Sequence, residues 1–129
     1  MKTILFLCTG NSCRSQMAEG LARAILPGDC KIYSAGIRAD GMNPKTVEVM
    51  SEIGIDVSKQ FSKTMDDLGD VEPDVVVTLC ENAEKNCPLY PKNVRHIHWP
   101  INDPHGKDVA AYRVARDEIK SKIENDLTL

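Results

Sequence analysis

A cysteine and an arginine separated by five residues, in the segment Cys8-Thr-Gly-Asn-Ser-Cys-Arg14, constrain the fold more than any other feature of this 129-residue sequence. The apolar run over residues 3–8 that leads into this segment is rich in strand-forming residues. After Ser15, apolar residues recur at four-residue spacing, which is typical of a helix. The chain must therefore pass from a strand into a helix through a tight loop that carries both side chains.

Strand-like and helical patterns alternate along the rest of the chain. Strands are predicted over residues 3–8, 31–35, 75–79 and 94–99, and the third of these is a continuous β-branched run of the kind that both faces of a parallel sheet bury. Helices are predicted from Ser15 to a stop at Pro27-Gly28, and from Asn43-Pro44 to Gly54. Residues 80–91 are predicted to be a loop or a short helix.

Two apolar stripes indicate which helix faces point inward. In the second helix the stripe comprises Val47, Met50 and Ile53. In a long C-terminal helix it comprises Tyr112, Ala115, Ile119 and Ile123.

This order of elements predicts an α/β fold: a single domain over residues 1–129, with a four-stranded parallel sheet flanked by helices. Such sheets bind ligands beyond the carboxyl ends of their strands. Cys8, Cys80 and Asp103 lie at or just after predicted strand ends. We therefore expect the fold to bring them to one edge of the sheet.

Composition excludes several classes of function. A net charge of -3 with scattered basic residues gives no footprint for nucleic acid. The sequence has no run of about 20 apolar residues to cross a membrane and no signal-peptide cleavage pattern. We expect a cytoplasmic protein and, without an obvious apolar patch, a monomer. Five cysteines in that reducing compartment favour catalytic thiols over a disulfide framework.

The segment from Cys8 to Arg14 is suited to bind a tetrahedral oxyanion. Gly10 eases the tight turn, the backbone N–H groups and the following helix N-terminus attract an anion, and Arg14 can bind two of its oxygens. The same positive surroundings predict a lowered pKa at Cys8, with a hydrogen bond from Ser15 to its sulfur. Further supporting residues are predicted in the loop: Thr9, Gly10, Asn11, Ser12 and Cys13. The simpler alternative is a buried cysteine that ends a strand and a surface arginine that opens a helix.

The string CTGNSCRSQMAEG resembles the signature of the low-molecular-weight tyrosine phosphatases and of the thioredoxin-coupled arsenate reductases in the same superfamily. The similarity continues through four later segments: Tyr33-Ser-Ala-Gly36, Gly54-Ile-Asp-Val57, Thr78-Leu-Cys80 and Arg116-Asp-Glu-Ile119. It implies that Cys8 is the nucleophile and that Asp103, in an Asp-Pro pair, is the general acid. A lone Asp-Pro is otherwise most often a turn.

A second pair of cysteines, Cys80 and Cys87, favours the reductases over the phosphatases. The resemblance implies a relay: Cys8 attacks arsenate, Cys80 attacks Cys8 and releases arsenite, and Cys87 then takes the disulfide to the surface. It also implies arsenic detoxification, reduced thioredoxin as the electron donor and no bound cofactor; a glutaredoxin or mycothiol system stays open. His105-Gly106 stands where the phosphatases usually have aromatic residues. We expect the polar segment after Cys80 to rearrange during the relay.

Several alternatives stay open at this stage. The chain could be a tyrosine phosphatase, or a non-catalytic module that senses redox state through Cys80 and Cys87. These two cysteines could be core residues or zinc ligands, although His96 and His98 complete no recognisable zinc set and we predict no metal site. Some relatives bind potassium through residues matching Asn11, Glu19 and Ser34 and an aspartate. Here Lys63 stands at the aspartate position, so we expect little potassium dependence.

Overall fold

The computed structural model describes residues 2–87 and 93–127. Four strands alternate with helices along this chain: β1 (Thr3–Cys8), α1 (Arg14–Ile25), β2 (Lys31–Gly36), α2 (Pro44–Ser51), β3 (Val75–Thr78), α3 (Glu81–Lys85), β4 (Arg95–His98) and α4 (Val109–Asp126). A short 3₁₀ helix over Asp66–Leu68 precedes β3. No helix within these ranges is long and apolar enough to cross a membrane.

The four strands form one parallel sheet in the order β2-β1-β3-β4. The predicted α/β fold with a four-stranded parallel sheet is thus confirmed. Cys8 at the end of β1 stands in register with Gly36 on β2, and Thr78 on β3 stands in register with His98 on β4. Because all four strands run the same way, their carboxyl ends meet at one edge.

Strands β1 and β3 supply the centre of the core, because each lies between two others in the sheet. All four residues of β3 are buried, as its continuous apolar run predicted. Helices α1, α2 and α4 pack against one another, and α3 contacts β1 and β3. The four residues of the α4 stripe named above are buried, which confirms the inward face of that helix.

The second helix begins as its sequence predicts but ends early. The side chain of Asn43 accepts a hydrogen bond from Lys45 N at 2.9 Å, and Pro44 is the first helical residue. The helix ends at Ser51, so Ile53 falls in the turn before Gly54 and is 37% exposed. The prediction that Ile53 faces inward was wrong; Val49 is buried instead.

Three strands differ by one residue at one or both ends from the sequence-based expectation. The second strand extends to Gly36 instead of ending at residue 35. The third strand stops at Thr78, one residue short, and the last strand is confined to Arg95–His98. The segment after Cys80 contains the short helix α3, and residues 88–91 of the predicted loop lie outside the described residues.

Candidate active site

The residues singled out from the sequence converge at the carboxyl edge of the sheet. Cys8 ends β1, and with Arg14 and Asp103 it lines a cavity of about 80 Å³. The remaining lining residues are Thr9, Gly10, Ser12, Cys13, Arg38, Asp40 and His105. Cys80 lies beside this cavity, because its sulfur is 3.2 Å from the Thr9 hydroxyl. The structure thus brings three strand ends together, as expected.

Asn11 supports the loop from behind. Its φ of +49° lies in the left-handed region, which asparagine tolerates better than most residues. Its side-chain amide donates to Ser15 Oγ at 2.7 Å and to Ser34 Oγ at 3.0 Å. Its side-chain oxygen accepts from Gln16 Nε2 and from Lys63 N, both at 2.9 Å. Asn11 therefore ties the loop to α1, to β2 and to the segment before β3.

Ser15 faces the cysteine that the sequence predicts to be the nucleophile. Its Oγ lies 2.8 Å from Cys8 Sγ, and since that oxygen already accepts from Asn11, the hydroxyl proton can point to the sulfur. Burial raises the pKa of the Cys8 thiol above its ordinary value, while the Ser15 hydroxyl and the Arg14 charge oppose that rise. The predicted lowering of this pKa was therefore wrong in direction, because the positive surroundings do not outweigh burial.

Arg14 connects the loop to the segment that carries Asp103. Its side chain is buried; Nη1 donates to Ile101 O at 3.0 Å, and Nη2 lies 3.6 Å from Asp103 Oδ2. Asp103 is itself exposed, and its Oδ1 accepts from His105 N at 3.0 Å. The guanidinium thus points into the cavity with an acidic group across from it.

Arg38 and Asp40 complete the cavity, although no sequence motif marks them. They form an exposed ion pair at 2.9 Å. The backbone N–H groups of the two residues donate to Thr9 O at 3.1 Å and to Gly10 O at 2.9 Å. A Cβ built on Gly10 would lie 2.2 Å from Asp40 Oδ2, so a larger residue at this position would require the Asp40 side chain to move. Their place just after β2, the neighbour of β1, is the one signal that could have identified them.

Cys80 and Cys87 stand at opposite ends of α3. Cys80 is buried and caps the helix, with its sulfur 3.4 Å from Ala83 N. Cys87 follows the helix and is half-buried; burial and then the charge of Glu84 raise the pKa of its thiol. All five cysteines are free thiols.

The other two cysteines have different surroundings. Cys13 is buried in the loop, with its sulfur 3.8 Å from the Tyr112 hydroxyl. Cys30 is half-buried just before β2, at the end of the sheet opposite the cavity. Cys13 thus lines the same cavity as Cys8, whereas Cys30 does not.

Lys63 places a positive charge among the residues that would match a potassium site. Its Nζ lies 3.5 Å from both Glu19 Oε1 and Ser34 Oγ, and it donates to Phe61 O at 3.1 Å. Glu19 also pairs with Arg23 at 2.9 Å. The ammonium group thus supplies the positive charge that these oxygens require. Across residues 2–87 and 93–127, no group of three or more histidine, cysteine, aspartate or glutamate side chains could hold a metal ion.

Comparison with known proteins places this site in a family context. The family model for "Low molecular weight phosphotyrosine protein phosphatase" matches residues 3–128. An arsenate reductase of Staphylococcus xylosus is 52% identical over 124 residues, which cover 96% of this chain and 95% of that protein. A solved arsenate reductase in an oxidized state superposes with a TM-score of 0.87 at 32% identity, covering 97% of this chain and 95% of the other. Another, in a phosphate-binding state, gives 0.82 at 32% identity, with the same coverage.

Proposed function

Since the chain belongs to the low molecular weight phosphotyrosine protein phosphatase family, we propose that it binds arsenate in the loop between β1 and α1 and reduces it to arsenite. Its similarity to arsenate reductases over nearly the whole chain supports this proposal. The observation that carries it is the contact of Cys80 with the loop, 3.2 Å from Thr9. A hydrolase needs one thiol at this place, whereas a two-electron reduction needs a second thiol next to the first.

The first step is attack on arsenic by the Cys8 thiolate. The Arg14 guanidinium and the N–H groups of the loop hold the arsenate oxygens. The Ser15 hydroxyl and the Arg14 charge oppose the rise that burial causes in the Cys8 pKa and so favour the thiolate. Asp103 stands across from Arg14 and gives a proton to the departing oxygen, which leaves as water. A covalent Cys8–arsenic(V) adduct results.

Cys80 performs the reduction in the second step. Its thiolate attacks Cys8 Sγ and forms a Cys8–Cys80 disulfide, while the electron pair of the sulfur–arsenic bond stays on arsenic. Arsenic leaves as arsenite, and the two thiols have supplied both electrons. The contact of Cys80 with Thr9 keeps its sulfur near the loop before this step.

Cys87 moves the disulfide away from the loop in the third step. It lies seven positions after Cys80 in the sequence, and α3 occupies most of that interval. Seven residues of helix span about 10 Å, whereas the Cα atoms of a disulfide lie about 4.4–6.8 Å apart. The helix must therefore unwind before a Cys80–Cys87 disulfide can form.

We propose thioredoxin as the reductant of that disulfide and the cytoplasm as the setting. A dithiol donor restores Cys80 and Cys87 by the same exchange chemistry. A reducing cytoplasm suits a chain whose five cysteines are thiols. The reaction as written uses thiols and one carboxylic acid, so it needs no bound cofactor, and the cycle runs within one copy of the chain.

A weak phosphatase activity is the second candidate function. The cavity of about 80 Å³, its arginine and its nucleophile suit either tetrahedral anion. His105 lines the cavity where an aromatic residue would stack on a phosphotyrosine ring, so we expect slow hydrolysis of aryl phosphates.

The deciding experiment measures arsenate-dependent NADPH oxidation with thioredoxin and thioredoxin reductase. We expect turnover in the wild type, its loss in Cys80→Ser and Cys87→Ser, and its retention in Cys30→Ser, the matched control at the opposite end of the sheet. Wild-type protein without turnover but with rapid hydrolysis of an aryl phosphate would show a phosphatase instead.

A further inference from the structure

Two histidines of β4 contact α3, the short helix between Cys80 and Cys87. His96 Nε2 lies 2.8 Å from Glu84 Oε1. His98 Nδ1 lies 3.1 Å from Glu84 Oε2, and its Nε2 lies 3.3 Å from Glu81 Oε1. We call these four side chains the histidine clasp. They link β4 to α3 through side-chain contacts.

Thr78 anchors the clasp to the core. It is fully buried on β3, and its hydroxyl donates to Glu84 Oε2 at 3.0 Å. The hydroxyl oxygen of Thr78 also lies 2.8 Å from Nδ1 of His98, which stands in register with Thr78 on the neighbouring strand. Glu84 is therefore held by three side chains of the sheet, and α3 cannot unwind without breaking these contacts.

We propose that the histidine clasp positions α3 and sets the rate at which Cys87 reaches Cys80. The inference rests on the proposed three-thiol relay and deepens it. In the step concerned, the Cys87 thiolate attacks Cys80 Sγ of the Cys8–Cys80 disulfide, a Cys80–Cys87 bond forms, and Cys8 leaves as a thiolate. This exchange needs no outside electrons. A helix of five residues has little stability of its own, so contacts with the sheet decide how often it opens.

Both ring nitrogens of His98 take part in the clasp. From α3 the ring faces the carboxylates of Glu81 and Glu84, and from β3 it faces the Thr78 hydroxyl, whose proton is directed to Glu84. Both ring nitrogens therefore face groups that accept hydrogen bonds, and only the imidazolium can donate from both. The neutral ring donates from one. Replacing His98 with a side chain that donates only one hydrogen bond therefore weakens the clasp.

Glu84 also connects the clasp to the nucleophile of the exchange step. Its negative charge adds to burial in raising the pKa of Cys87 while α3 is folded. When the clasp opens and α3 unwinds, this charge moves away from the thiol. Opening therefore frees Cys87 to move and at the same time favours its thiolate.

Hydrogen exchange in the reduced full-length protein tests the clasp directly. His98→Asn keeps one donor group but cannot reach both Glu81 and Glu84 as the ring does, and Glu84→Gln removes the shared charge. We expect the amides of residues 83–86 to lose protection by about threefold to tenfold in both variants, the value of one or two hydrogen bonds. Lys122→Gln, which breaks a surface ion pair of α4, is the control.

A single turnover with arsenate and no reductant tests the effect on the relay. Thiols are trapped at intervals, and the Cys80–Cys87 disulfide is measured by peptide mass spectrometry. We expect it to form about threefold to tenfold faster in His98→Asn than in wild type, with the alkylation rate of Cys8 in the resting protein unchanged. Equal rates and equal amide protection in the wild type and in His98→Asn would overturn the proposed role of the clasp. A wild type that forms no such disulfide would overturn the relay itself, and with it the role of the clasp.

Discussion

The hydroxyl of Ser15 lies 2.8 Å from the sulfur of Cys8, and it accepts a hydrogen bond from Asn11, which leaves its proton available for the sulfur. This bond favours the thiolate and opposes the effect of burial on the Cys8 pKa. In Ser15→Ala we therefore expect that pKa to rise by about one unit, the value of a hydrogen bond to a charged group.

The pH dependence of iodoacetamide alkylation measures the change. Alkylation of Cys8 is expected to be slower in Ser15→Ala than in wild type near neutral pH. The two rates are expected to be equal at a pH where Cys8 is ionised in both proteins. Ser51→Ala, at the exposed end of α2, should behave as wild type. An unchanged profile in Ser15→Ala would show that the hydroxyl does not act on the sulfur.

Gly36→Ala is expected to displace the loop from Cys8 to Arg14, which we call the oxyanion loop. A Cβ at this position would lie 2.5 Å from Arg38 O, 2.7 Å from Thr9 O and 2.8 Å from Asn11 N, all of them backbone atoms that cannot rotate away. We expect a loss of about 3 kcal/mol in the free energy of unfolding, in the range of overpacked cores, and a large loss of arsenate turnover.

Gly28→Ala is the control for that substitution, because a Cβ there meets no atom within 4 Å. Chemical denaturation of the two variants measures the difference. If Gly36→Ala were as stable as Gly28→Ala, the close approach of the loop to β2 would not be essential.

Potassium is expected to have no effect on the wild type and a stabilising effect on Lys63→Ala. The variant leaves Glu19 and Ser34 without the Lys63 ammonium. Glu19 keeps its pair with Arg23 and the hydrogen bond that Ser34 donates to it. We expect a loss of about 2 kcal/mol in sodium buffer, less than for a buried charge left with no partner.

Thermal melts in equal concentrations of sodium and potassium chloride make the comparison, with the exposed Lys59→Ala as control. A higher melting temperature of the wild type in potassium would mean that a cation binds beside Lys63. That result would contradict the prediction of little potassium dependence.

Glu52 makes folding sensitive to acid. It sits at the end of α2 and pairs with Arg113 at 2.7 Å and with Arg116 at 2.8 Å, both on α4. Hydrogen bonds from Arg113 are the main reason that the pKa of Glu52 falls from 4.5 to about 2. Because this pKa is lowered in the folded state, the unfolded chain takes up a proton at Glu52 at a higher pH than the folded chain does as the pH falls. The ion pairs therefore contribute stability above pH 4.5, and this contribution is lost as the pH falls toward about 2.

We expect Glu52→Gln to be less stable than wild type at neutral pH, with a difference that shrinks in acid. Melting temperatures measured at neutral pH and below the ordinary pKa of glutamate test this, with Glu124→Gln on the exposed face of α4 as control. A difference that stays constant with pH would show that Glu52 acts through packing and not through its charge.

The main outline of the fold could be predicted from the sequence because its signals are local. The apolar run before Cys8 and the four-residue spacing after Ser15 define a strand and a helix, and parallel strands carry their carboxyl ends to one edge. Ile53 was placed wrongly because a helical period cannot show that the helix has already ended at Ser51.

Contacts between distant segments could not be predicted. Asp40 reaches Gly10 through a backbone hydrogen bond, which leaves no mark in the identity of either side chain. His96 and His98 were visible as a pair on one strand, but their partners on α3 depend on how that helix packs. The direction of the Cys8 pKa needed the extent of burial, which follows only from the complete fold.

The dependence of the loop on Asn11 has a consequence for protein engineering. The bonds of this one side chain reach α1, β2 and the segment before β3, which lie far apart along the chain. A transplanted copy of residues 8–14 would lack these supports and would not keep the same shape. The oxyanion loop is therefore not a portable module, and a new host scaffold would have to supply equivalents of Ser15, Ser34 and the Lys63 backbone at the same positions.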